Sequence, residues 1–301
     1  MTSKRDPWPE HCRRRLIAAI LSAADLFPHS GEDEASRIHD ARKALKQARA
    51  AAKLFAIAIG PPAYEAISAL EAARRETGRA RDLDVMPAAL ASLGAAVDAD
   101  TAVRLNRAIA FEREVARHAH RNIDVAAQTA QLRELARSIE NWDIDASVVS
   151  AQLLKALRNG YRTARRHGRR ALDSGDAHEL HLLRAQIVDL GDHFIALEAA
   201  WPALFAAVGD EFQRMRRHLG EHHDLTVLAE FAIGRSDLTL NQMTDLALQV
   251  ERRQKKLARR AGKEFERLFA ERPSALEHRL AAYLQHPKTR MNGEREGPEA
   301  G

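Results

Sequence analysis

Apolar and polar residues alternate along this chain with a helical period almost from end to end. Apolar positions recur at i, i+3, i+4 and i+7, which gathers them on one face of a rod turning 100° per residue. The pattern predicts helices over residues 10–27, 34–59, 62–79, 83–96, 99–122, 126–140, 146–173, 176–199, 202–220, 224–233, 239–270 and 274–285. Helix-stopping residues stand between them: Phe27-Pro28-His29-Ser30-Gly31, Gly60-Pro61-Pro62, Asp173-Ser174-Gly175 and Arg272-Pro273. No stretch reads as a strand pair or a hairpin, so the predicted fold class is all-α. Residues 286–301 are polar, carry Gly and Pro and lack periodicity, which predicts a disordered tail; residues 1–9 are expected to be flexible.

The pattern also repeats. Moving residues 37–86 forward by 142 positions lays them on 179–228 without a gap. His39 then meets His181 and Arg42 meets Arg184. Further on, Arg74-Arg75 meets Arg216-Arg217, Gly78 meets Gly220, Asp82-Leu83 meets Asp224-Leu225, and Val85 meets Val227. Chance would scatter such identities, yet most fall in two tight groups. Two similar halves, about 10–145 and about 146–285, are predicted, each a bundle of about four helices.

Composition agrees with helices. Hydrophobic residues make up 45%, enough for a core, while aromatic residues are only 5%; a strand-rich protein wants more aromatic and β-branched residues. Lys and Arg outnumber Asp and Glu by 47 to 42, so the arrangement of charge matters more than its sum. The single Cys12 excludes an internal disulfide and fits a reducing compartment. The N-terminal residues show no secretory signal, and no uninterrupted apolar run reaches the ~18–20 residues that span a bilayer. A soluble cytoplasmic protein without a membrane partner is expected.

Three helices carry stripes of like charge. With His39 as zero, Arg42 falls at about −60°, Lys43 at about 40°, Lys46 at about −20°, Arg49 at about −80° and Lys53 at about −40°. Ile38, Ala41, Leu45, Ala48, Ala52, Phe55 and Ile59 take the complementary arc. A second stripe, Lys155, Arg158, Arg162, Arg165 and Arg169, spans about 80°, and a third, Arg252, Lys255, Lys256, Arg259 and Lys263, spans about 100°. Solvated faces usually mix signs, because Glu–Lys pairs four apart stabilise a helix and like-charge pairs cost a few tenths of a kcal/mol. The first stripe holds no acid. Such stripes predict an external polyanion. They offer almost no amide or aromatic groups to read or stack on bases, so a base-free phosphate chain fits better than nucleic acid. Arg brings a two-toothed fork, Lys a mobile charge, and His a donor that strengthens on protonation.

These residues resemble the signatures of a known family. His39, Arg42, Lys43, Lys46 and Arg49, in the spacing H-x-x-R-K-x-x-K-x-x-R, resemble the first motif of the CHAD family (conserved histidine α-helical domain). Gly78, Arg81, Asp82, Asp84 and Val85 are similar to its second. His181 with Arg184 and Gly220 with Asp224 look like its second half, and residues 263–284 like its C-terminal ending. The resemblance, over roughly 10–285, implies two pseudo-two-fold-related bundles around a basic central groove or pore that binds inorganic polyphosphate, and association with polyphosphate granules. It implies His39, Arg42, Lys43, Lys46, Arg49, His181 and Arg184 as ligands; Lys53 and Arg217 are added from the stripe and the repeat, and the stripes at 155–169 and 252–263 as further walls. It implies no cofactor, and as partners either further copies of the chain or granule-associated proteins. The second half departs from the pattern, carrying Val188, Gly191 and Ile195 where the first has Lys46, Arg49 and Lys53. An asymmetric site is therefore expected.

Other chemistry is weighed against this. Asp82 and Asp84 are read as helix-start caps, with Pro87 in the first turn. The doublets His222-His223, His178-x-x-His181 and His118-x-His120 lack the three or four converging ligands of a metal site, so no metal and no catalytic residue is expected. Trp142 and Trp201 are expected to fill a core or cap a bundle end, and Gly160 and Gly168 to mark close helix contacts. A poly- or triphosphate-hydrolysing enzyme and a nucleic-acid-binding helical protein stand as alternatives.

Overall fold

The computed structural model describes residues 8–26, 34–76, 78–120, 125–198, 200–235 and 237–285. Among them the regular structure is helical throughout: α1 (Trp8–Leu26), α2 (Glu34–Ile59), α3 (Pro61–Glu76), α4 (Gly78–Leu93), a 3₁₀ turn (Gly94–Ala96), α5 (Ala99–His120), α6 (Val125–Glu140), α7 (Ala146–Ser174), α8 (Ala177–Ile195), α9 (Pro202–Ala232), α10 (Leu240–Leu268) and α11 (Pro273–Gln285). The all-α class is thus correct. The expected tail at 286–301 and most of the expected flexible N-terminus lie outside the described residues.

Several helix bounds shift by a few residues from expectation, and in α9 the difference follows from packing. The predicted helices 202–220 and 224–233 are one helix, α9. Phe212, Met215, Leu219, His222, Leu225 and Leu228 are buried in turn, so the apolar stripe crosses Gly220 without changing phase. Tertiary contact overrides the weak helix propensity of glycine. In the first copy of the repeat the corresponding Gly78 is the first residue of α4 and follows Thr77, which lies outside the described residues. Asp84 therefore sits inside α4 rather than at a cap, and its carboxylate takes a 2.8 Å ion pair from Arg113 of α5. Pro87 likewise lies within the helix instead of its first turn. The side chains of Arg81, Asp82, His118 and His120 are outside the described residues.

Two cores hold the helices. The larger joins α1, α2, α3, α6, α7, α8, the first part of α9, the end of α10 and α11 around Leu16, Leu45, Phe55, Leu70, Leu157, Tyr161, Leu183, Phe212 and Leu280. The smaller joins α4, α5, the end of α9 and the start of α10 around Leu90, Leu105, Ile109, Leu228 and Val250. Each core draws on residues from both sides of position 145. Within the larger, α2 packs against α1, α3, α7 and α8, and α8 packs against α7 and α9. Alanines at 41, 48 and 52, all with no exposed surface, make this possible: a helix face without long side chains lets neighbours come close on several sides. Trp142 is buried with its ring 5.4 Å from Phe55, whereas Trp201 is half exposed and meets Tyr283 edge-on.

Glycine also sets one of these distances. A Cβ on Gly168 would collide with the ring of Phe265 in α10, so α7 and α10 touch there as the sequence predicted. At Gly160 the nearest atom to such a Cβ would be Leu190 Cδ2 at 3.5 Å, an ordinary contact.

Candidate functional site

Helices α2, α8 and α9 enclose a cleft of about 560 Å³. Its wall is His39, Arg42, Lys43 and Lys46 from α2, Arg184 from α8, and Gln213, Arg216, Arg217, Gly220, Glu221 and Asp224 from α9. Both copies of the repeated motif therefore face one space, although they stand far apart in sequence. Cations dominate it, and of the acids Glu221 is turned toward Arg253 of α10 at 3.4 Å.

The walls are braced by the motif residues themselves. Arg42 is almost fully buried, and its Nη1 donates a 2.8 Å bond to the carbonyl of Arg74 in the last turn of α3. That bond ties α2 to α3. In the second copy, Arg184 lies across Gly220 of α9: a Cβ on that glycine would sit 3.7 Å from the Arg184 Nε. The absent side chain leaves the guanidinium room to lie on the helix. His181 meets His223 at 3.1 Å between Nδ1 atoms, which requires one nitrogen to donate and the other to accept. His181 is thereby engaged with α9.

Several expected ligands are committed elsewhere. Arg49 Nη2 and Lys53 Nζ both donate to Asp189 of α8, at 3.0 and 2.6 Å, so these two cations balance a buried carboxylate instead of lining the cleft. Arg158 pairs with Glu277 of α11 at 2.8 Å. Arg165 Nε donates at 2.8 Å to the carbonyl of Phe269, just beyond the end of α10, and the Tyr161 hydroxyl reaches the carbonyls of Leu268 and Glu271. Two of the five cations of the α7 stripe, with Tyr161, thus hold the α10–α11 corner. Arg169, Lys255 and Arg259 line a different cavity, between α7 and α10. Lys155, Arg162, Arg252, Lys256 and Lys263 are exposed and outside the cleft wall. Neither the α7 stripe nor the α10 stripe lines the cleft of α2, α8 and α9, although α7 packs directly on α2.

The cleft also holds a cation outside the expected ligand set. Arg216 lines it beside Arg217, and its pairing with Arg74 in the repeat was the signal that could have found it. Gln213 lies one turn earlier on α9 and left no trace in the motif. Asp192 of α8 is half-buried and lines a separate cavity with Cys12 and Arg15, its Oδ2 lacking a hydrogen-bond partner. Burial, helped by the like charge of Asp189, pushes its carboxyl up to about 6 against the pull of Arg216, Arg15 and Lys43. Burial likewise pushes the Cys12 thiol up to about 12, leaving no thiolate near neutral pH. Among the described residues, no three His, Cys, Asp or Glu side chains converge as a metal-binding group, and no helix is long and apolar enough to cross a membrane.

An all-helical protein with a duplicated basic motif turned into one cleft is the class that fold and site define. The sequence profile of the CHAD domain matches residues 14–232, more than two thirds of the chain, and the protein belongs to the CHAD domain family. The match includes α2, α8 and α9, which build the cleft, and ends before α10 and α11, so the likeness of residues 263–284 falls outside it. No curated protein matches the chain.

Proposed function

We propose that this protein binds inorganic polyphosphate in the cleft between α2, α8 and α9, without hydrolysing it. The observation that carries the reading is the convergence of Lys43, Lys46, Arg184, Arg216 and Arg217 on one space of about 560 Å³. Lys43, Lys46 and Arg217 supply the phosphate contacts, and Arg42 and Arg184 hold the walls. Each bound phosphate exchanges water and counterions for charge-assisted hydrogen bonds. A chain of phosphates suits the cleft because its lining is rich in cations and holds no Phe, Tyr or Trp on which bases could stack. The site is asymmetric: α2 and α9 bring cations, while α8, whose Val188 and Gly191 are buried in packing, contributes Arg184 alone. Association with polyphosphate granules follows from this reading.

The test is retention of defined-length polyphosphate by the wild type and by a Lys43/Lys46/Arg217→Ala triple variant. The wild type is expected to bind and the triple to lose at least about tenfold in affinity. Equal binding by both, or none by either, would overturn the assignment. Phosphate release from tripolyphosphate with Mg²⁺ or Mn²⁺ decides against hydrolysis if it stays at the buffer rate, and displacement by DNA at equal charge concentration would favour a nucleic-acid ligand.

A further inference from the structure

The cavity between the end of α7 and α10 holds about 690 Å³, within the range of small-molecule sites. Its lining is of two kinds. Arg169, Lys255 and Arg259 bring positive charge, and Leu172, Phe265 and Phe269 bring carbon. Among the described residues, Arg169 and Arg259 form no hydrogen bond or ion pair; Lys255 has a surface pair with Glu251 one turn away. Phe265 is fixed, stacked on Phe269 with ring centroids 4.6 Å apart and packed on Gly168.

Gly262 supplies the second observation. It lies inside α10, where glycine weakens a helix relative to alanine. Its backbone is not in the left-handed region, and nothing stands within 4 Å of where its Cβ would be. Neither conformation nor packing calls for a glycine. What the missing side chain leaves is open space, and Gly262 lines the cavity. At Gly168 and Gly191, by contrast, neighbouring rings fill the corresponding room.

We infer that this cavity binds an organic anion, one phosphate, sulfonate or carboxylate group on an aromatic or aliphatic body. The acidic group rests on Arg169 and Arg259, and the body lies along Gly262 against the phenylalanine floor. A phosphate chain suits it poorly: it has no apolar part to bury, and Asp173 and Glu266 at the rim repel a multiply charged ligand. The inference stands apart from the polyphosphate reading, since the cleft of Lys43 and Lys46 shares no residue with this cavity.

Naphthyl phosphate titrated into the full chain, followed by its fluorescence and by calorimetry, tests this. One-to-one binding at least about tenfold tighter than inorganic phosphate is expected. Gly262→Leu, which fills the space, and Arg259→Ala are each expected to weaken it about tenfold or more, with helical circular dichroism unchanged. The Lys43/Lys46/Arg217→Ala variant keeps wild-type binding, and tripolyphosphate at equal concentration does not displace the probe. Absence of binding, wild-type binding by Arg259→Ala, or displacement by tripolyphosphate overturns the proposal. Arg259 is exposed, so its variant decides the matter even where Gly262→Leu fails to fold.

Discussion

Arg49 of α2 and Asp189 of α8 meet at 3.0 Å with both side chains nearly buried, 12% and 13% exposed, and their pairing ties the two copies of the repeat together. Lys53 takes the other carboxylate oxygen at 2.6 Å. A motif arginine that the sequence marks as a ligand is here the counterion of its own fold. Removing one partner of a buried pair leaves an uncompensated charge, which costs more than the pair contributes.

Asp189→Asn is therefore expected to destabilise the protein by about 2–4 kcal/mol, measured by urea unfolding. Arg49→Ala is expected to lower stability as well, and to leave polyphosphate affinity within about twofold of wild type. A large affinity loss with unchanged stability would return Arg49 to the ligand set.

Asp192 gives a pH dependence whose sign is fixed by its raised carboxyl value of about 6, against an ordinary 3.8. Between these two values the folded chain holds a proton that the unfolded chain releases. This contribution to stability falls as pH rises through that window, and the deficit is fully present above about pH 6. Asp192→Asn is expected to gain about 1–3 kcal/mol over wild type at pH 8 and little at pH 4. His193, buried and held neutral with Nε2 donating to the Ala50 carbonyl at 2.8 Å, acts in the opposite sense, losing stability as pH falls below about 6.5. It is common to both proteins and cancels in their difference.

Protonating Asp192 also releases the field it exerts on Lys43 and Arg216. Polyphosphate binding is expected to tighten as pH falls through about 6, and Asp192→Asn to flatten that part of the profile. An identical profile in wild type and variant would separate Asp192 from the cleft.

Binding should weaken steeply with salt, because each phosphate contact releases counterions. Lys43→Ala is expected to reduce the slope of log K against log salt by about 1, whereas Lys263→Ala, remote from the cleft wall, leaves it unchanged. Isothermal titrations at four salt concentrations distinguish the two.

Two glycines of α7 should respond in opposite directions. Gly168→Ala drives a methyl into the Phe265 ring and is expected to cost about 1–3 kcal/mol. Gly160→Ala meets only Leu190 at 3.5 Å and is expected to be neutral or to stabilise by up to about 1 kcal/mol. Thermal melts of the two variants check the contrast.

Periodicity alone determined that this chain is helical, and most helix bounds agree with it, because an amphipathic face has the same spacing wherever it packs. Sequence could not say that one helix runs unbroken through Gly220; the continuous burial from Phe212 to Leu228 in α9 decided it. The basic motif likewise announced cations, and the repeat paired His39 with His181 and Arg74 with Arg216. Only the tertiary structure decided their uses, sending Lys43 and Lys46 to a shared cleft, Arg49 to Asp189 and Arg165 to the carbonyl of Phe269. A charge's place on its own helix is local information, but what it meets depends on a neighbour more than a hundred residues away.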